Sequence, residues 1–247
     1  MSKNKSEKGF WASIFPTIGS VIGTFFYDYF FDDPKRPGIM RFSFPARTLH
    51  WVTAVLIILL GFTGLILFVP GWGTIAVAGW TRIIHRICVY IFAVVLVLYF
   101  VTYRKNCLDY IKESFTWTRE DLGWLRAAVD YYLGGEESKM PPQGRINPGQ
   151  KIWQLITILC GAIFFITGAI MTFAKGAVAP GVFQWCVFTH DIAFIIGGCM
   201  LVVHVVLGAL HPRMSESLRS MITGKISVEY AKSHYGKWYE EISKKQA

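Results

Sequence analysis

Long apolar runs broken by charged connections set the rhythm of this chain. No Asp, Glu, Lys or Arg occurs between Thr48 and Thr81, between Ile87 and Tyr103, or between Ile152 and Ala174. From Gly176 to Pro212 only Asp191 is charged. A helix crossing a bilayer needs about 20 apolar residues, each rising about 1.5 Å. The pattern therefore predicts four spanning helices, near residues 49–69, 83–103, 152–173 and 186–210.

The stretches between and around them read differently. Within residues 10–31, Gly19 and Gly23 have the spacing that lets two membrane helices approach closely. Pro16 and Asp28 interrupt that segment, and spanning would carry Lys3, Lys5 and Lys8 across the membrane. An interfacial or partner-docking segment is expected there rather than a further span. "DDPKRPG" (32–38) reads as a turn. In the middle connection Thr118 and Asp121 predict a capping box, and Leu122, Leu125, Val129 and Leu133 recur at helical spacing. A short amphipathic surface helix ending at Gly134-Gly135 follows, then an extended, Pro-rich approach to the third span. The chain thus divides into an N-terminal extension (1–40), a four-helix bundle (41–210) and a basic, aromatic tail (211–247).

Composition agrees with an all-α integral membrane protein: of 247 residues, 53% are hydrophobic and only 17% charged. The net charge of +9 raises the question of nucleic acid, but its distribution points to lipid. Seven of the 25 Lys and Arg precede residue 50, eight lie between Arg104 and Lys151, and seven follow residue 210. By the positive-inside rule both termini and the middle connection are cytoplasmic. The five cysteines form no C-x-x-C pair, which argues against a zinc knuckle, an iron–sulfur cluster in this chain or covalently attached haem.

Four of the six histidines, His50, His85, His190 and His204, lie in or at the edges of spans. With the orientation above, His50 and His204 fall near the cytoplasmic side and His85 and His190 near the outer side. His190 and His204 are fourteen residues apart, nearly four full turns, so both rings leave one helix face about 21 Å apart. Two imidazoles at each of two depths suit two bis-histidine b haems stacked through a helical bundle. A proton relay in a transporter is the rival reading, and such proteins usually have more spans and internal repeats. Gly197 and Gly198, midway between the two histidines, give a flat macrocycle room or serve plain helix packing; Gly64 and Gly168 invite the same question. Arg47 and Arg82, near His50 and His85, are candidates to neutralise haem propionates or to anchor helix ends. Asp191 either orients His190 or faces external water. His211 and His234 read as surface residues.

The order "RTLHW", "RIIHR", "INPGQK" and "FTHD…LVVH" at the four spans, with the ending "MITGKISVEYAKSHYGKWYEEI", resembles the formate dehydrogenase gamma subunit, a membrane dihaem cytochrome b. The resemblance covers about residues 40–245, and the first 38 residues depart from it. It implies a subunit of the bacterial or archaeal cytoplasmic membrane that transfers electrons without a formate site of its own. Its expected partners are an iron–sulfur beta subunit and a catalytic alpha subunit with molybdenum or tungsten bis-pterin, with the whole complex a candidate for a larger assembly. Electrons would pass through the haem held by His85 and His190 to the one held by His50 and His204, and then to menaquinone or ubiquinone. The resemblance maps the quinone site onto Asn147, Gly149 and Gln150, whose amides suit a quinone carbonyl. The same residues would also serve simply as the cap of the third span. The nearest alternative is the dihaem cytochrome b of a nickel–iron hydrogenase or thiosulfate-type reductase. An alternative of another class is a haem-free membrane anchor or proton-conducting protein.

Overall fold

The computed structural model describes residues 38–77, 79–136 and 139–246. The expectation for residues 10–31 lies outside them. Four helices are long and apolar enough to cross a membrane: α1 (Phe44–Phe68), α3 (Trp80–Thr102), α6 (Pro148–Phe173) and α7 (Pro180–Val205), the last continuing through a π-turn over Val206–Leu210. Each begins a few residues before the apolar run alone predicts, and local chemistry gives the reason. Proline occupies the first positions of α1, α6 and α7, where its missing N–H costs nothing and its φ already suits a helix. Gly79, at φ 77°, turns the chain into α3. The connection between the first two spans is not a plain loop, since it holds a 3-10 turn and the short helix α2 (Gly73–Val77).

In the most apolar stretch of each span only 6–11% of residues are buried within the chain. The apolar side chains therefore face outward, as lipid or another protein surface requires. Inside the bundle α1 packs along α3, α6 along α7, and α1 also meets α7.

Between the second and third spans, helices α4 (Arg104–Phe115) and α5 (Arg119–Tyr132) pack against α6 and cap one end of the bundle. The expected Thr118–Asp121 capping box is present at α5. Of the predicted apolar stripe, Leu122, Val129 and Leu133 are exposed, Leu133 at 83%, and Leu125 is half-buried, while Trp124 and Tyr131 are buried. At a membrane interface the aliphatic face has lipid as its apolar partner, and the aromatic face can turn inward.

Asp121 also meets Lys151 of α6 at 2.9 Å, an ion pair whose two side chains are only 7–8% exposed. The Lys151 ammonium donates as well to the Thr116 carbonyl at 2.8 Å, so the loop before α5 and the start of the third span are joined through one buried cation.

The basic tail is a packed unit. Helices α8 (Ser215–Thr223), α9 (Val228–His234) and α10 (Gly236–Gln246) enclose a core of Ile226, Tyr230, Ala231, Tyr235 and Trp238. A two-residue strand, β2 (Lys225–Ile226), pairs antiparallel with β1 (Ile39–Met40) just before the first span. The Arg41 guanidinium lies 3.5 Å over the Tyr235 ring, adding a cation–π contact to that joint. The Gln143 carbonyl accepts from the backbone N–H groups of Lys237 and Trp238, which anchors the Pro-rich approach. His211 and His234, expected at the surface, are joints instead. His211 Nε2 bonds the Tyr132 carbonyl at 3.1 Å; His234 Nε2 meets the Tyr131 hydroxyl at 2.7 Å and its ring stacks on Tyr230 at 3.8 Å.

Candidate functional site: two levels of histidines

At the capped end of the bundle, His50 of α1 and His204 of α7 face each other with ring centroids 6.4 Å apart. First-row metals bind imidazole nitrogen at about 2 Å, and the ring centre lies about 1 Å behind that nitrogen, so two rings sharing one ion stand roughly 6 Å apart. The separation fits. His50 also carries a buried Nδ1 with no hydrogen-bond partner, so among the described residues no protein group ties that nitrogen. Two imidazoles are too few to hold a bare ion, so the donor set suits a metal that brings an equatorial macrocycle, as haem iron does. Trp153 of α6 stacks on His204 at 4.4 Å with an 11° interplanar angle, and Trp51 is tied by its indole N–H to the Met221 carbonyl at 2.9 Å. Gly208, in the π-turn, leaves open the space beside the His204 ring.

At the other level, Nδ1 of His85 on α3 lies 2.8 Å from the Thr63 hydroxyl oxygen of α1. Nδ1 of His190 on α7 lies at the same distance, 2.8 Å, from the Thr167 hydroxyl oxygen of α6. These two threonines escaped sequence reasoning. Their only signal is a Thr-Gly pair in both the first and third spans, Thr63-Gly64 and Thr167-Gly168. A methyl group on Gly64 would stand 3.9 Å from His85 Cε1 and 3.7 Å from Phe194, which is one turn beyond His190. One on Gly168 would stand 3.8 Å from His190 Cε1. The Thr-Gly pairs thus present a bare stretch of backbone beside each ring.

Three helices measure the gap between levels independently. On α7 it is His190 to His204, on α6 Thr167 to Trp153, and on α1 Thr63 to His50: fourteen, fourteen and thirteen residues. At 1.5 Å per residue each gives about 20 Å. Gly197, midway, lies against Cys160 of α6 and so serves helix packing, whereas a methyl on Gly198 would meet nothing within 4 Å.

Arg47 donates to the Ile222 carbonyl at the end of α8, and its buried Nε has no partner. Arg82 is exposed. Asp191 is half-exposed, and the Nδ1 of its neighbour His190 goes to Thr167.

Asn147 and Gln150 form a reciprocal capping box on α6: the Gln150 N–H donates to Asn147 Oδ1 at 2.9 Å, and the Asn147 N–H to Gln150 Oε1 at 3.0 Å. That consumes both side-chain oxygens and leaves both amide NH2 groups as donors. Gln150 lies one turn before Trp153, so these donors stand near the His50/His204 level. Asn147 also lines a recess with Trp124, Tyr131, Met214 and His234. Gly149 is where Trp124 closes on α6: an added methyl would lie 3.2 Å from its Cη2. Gly149→Ala is therefore expected to cost about 1 kcal/mol by overpacking, read as a lower thermal midpoint in detergent.

Comparison with known proteins adds independent information. Residues 41–224 match the family model described as prokaryotic cytochrome b561. Over 226 residues the chain is 28% identical to the cytochrome b556(Fdn) subunit of the nitrate-inducible formate dehydrogenase of Escherichia coli strain K12, covering 86% of this chain and 95% of that one. The cytochrome b556(fdo) subunit of formate dehydrogenase from the same strain is 26% identical over 223 residues, with 85% and 96% covered. The formate dehydrogenase cytochrome b556 subunit of Haemophilus influenzae is 24% identical over 205 residues, with 82% and 83% covered.

Proposed function

We propose that this chain, which belongs to the prokaryotic cytochrome b561 family, is the membrane cytochrome b subunit of a respiratory formate dehydrogenase and delivers electrons to the quinone pool. Family membership implies haem b, and the relatives named above are cytochrome b subunits of formate dehydrogenases. The observation that carries the reading is the pair of histidine levels held in register by three helices about 20 Å apart.

In this reading His85 and His190 hold one haem iron on the outer side, and His50 and His204 hold the other on the cytoplasmic side. Haem b at the two levels supplies single-electron carriage across the membrane. The Lys- and Arg-rich termini and middle connection stay inside, as the positive-inside rule requires. An iron–sulfur subunit and a molybdenum or tungsten bis-pterin subunit complete the complex outside. The amides of Asn147 and Gln150 donate to a quinone carbonyl near the inner level. Reduction of the quinone by two electrons consumes two protons taken from the cytoplasm, and formate oxidation on the opposite face makes the overall reaction charge-separating.

Purification of the native complex tests this. The expected result is co-purification with an iron–sulfur subunit and a bis-pterin formate-oxidising subunit, with about two b haems per chain. A partner with a nickel–iron centre, or a colourless chain, contradicts it. Gln150→Ala is expected to leave haem content intact, lower stability by about 1 kcal/mol through loss of the cap, and slow quinone reduction at least several-fold. Unchanged quinone kinetics would leave these residues as a cap alone.

A further inference from the structure

We infer that Thr63 and Thr167 are positioning residues that make the outer histidine pair the stronger electron donors, so that the ligands themselves set a gradient running from the outer level to the inner one. This rests on the dihaem reading above.

The argument is one of proton accounting. A threonine hydroxyl has a single proton. Thr63 directs its own toward the Leu59 and Leu60 carbonyls, at 2.8 and 3.1 Å, and Thr167 to the Ile163 carbonyl at 2.6 Å. With the proton committed to the helix backbone, each hydroxyl oxygen meets its histidine as an acceptor. The two 2.8 Å contacts are therefore Nδ1–H donors from His85 and His190. Both rings are held as the Nδ1–H tautomer, with the Nε2 lone pair free for a metal. An imidazole that donates from Nδ1 is more basic at Nε2, and the low dielectric of a membrane bundle strengthens the effect.

Among the described residues no hydroxyl or carbonyl meets the inner pair in this way. His50 Nδ1 is buried without a partner, and His204 lies face to face with the Trp153 indole. More basic ligands favour the oxidised, more positive iron, so this contribution lowers the outer potential relative to the inner. Electrons entering from outside then move downhill toward the quinone side.

The test is a redox titration of the visible spectrum of the purified complex, with electron paramagnetic resonance of the oxidised state. Thr63→Val and Thr167→Val keep the side chain's shape and remove the acceptor; the serine variants restore it. Thr157→Val is the control, because among the described residues that hydroxyl bonds the Trp153 carbonyl alone. The expected result is that each valine variant raises one of the two midpoint potentials and shifts one low-spin ferric signal, while the other haem is unchanged and the serine variants read as wild type. Loss of one haem in the valine variants, with retention in the serine variants, supports the same role. Two haems with unmoved potentials, or the same shift in Thr157→Val, would overturn this inference alone. A wild-type complex without haem in this chain would overturn the dihaem reading and this inference together.

Discussion

Replacing His190 by alanine is expected to reduce the haem content of the purified chain from about two to about one per polypeptide, by pyridine haemochromogen assay. The spectrum that remains should match that left by His85→Ala. His50→Ala and His204→Ala should share a different remainder. The grouping follows from the packing. His190 and His85 are each held by a threonine at one level, whereas His50 and His204 face each other at 6.4 Å at the other. About 20 Å of helix lies between, enough that loss of one level leaves the other's ligands in place. If His50→Ala and His85→Ala removed the same spectral species, the two-level assignment would be wrong.

Lys151→Ala should be the most destabilising single change away from the histidines, by about 3–5 kcal/mol, because it strands a buried carboxylate. Lys151 Nζ lies 2.9 and 3.0 Å from the two Asp121 oxygens and 2.8 Å from the Thr116 carbonyl. Asp121 at the same time accepts from the Thr118 N–H at 2.7 Å, closing the cap of α5. Removing the lysine leaves that carboxylate with its hydrogen bonds but without its counter-charge. The double variant Lys151→Met/Asp121→Leu should recover most of the loss, short of about 1 kcal/mol for the cap. Thermal unfolding in detergent across the full mutant cycle measures the coupling. Additive losses from the two single changes would mean that the ion pair contributes nothing of its own.

The four spans were legible because uncharged runs of this length have few other uses, and the histidine ladder because fourteen residues bring a helix back to the same face. The threonines were not. A threonine in an apolar helix ordinarily spends its hydroxyl on the carbonyl a turn behind, so Thr63 and Thr167 look like Thr53 or Thr157 until the neighbouring helix is in place. The capping boxes at Thr118 and Asn147 were legible for the opposite reason, since both partners lie within three residues. The facing of α5 was not legible, because an apolar stripe says that a side is dry without saying whether protein or lipid dries it. The packed tail left little trace as well: strands of two residues carry no alternation, and the contacts of His211 and His234 with Tyr132 and Tyr131 join distant parts of the chain.

The pairing of Ile39–Met40 with Lys225–Ile226 has a consequence for biogenesis. Translation proceeds from the amino end, so β1 reaches the membrane surface with the first span and must wait there, its edge unpaired, until all four spans have been threaded and β2 emerges. Only then can Arg41 settle on Tyr235, and only then is the aromatic core of the tail closed. A chain cut short after the fourth span would hold all four bundle helices and leave this seam open.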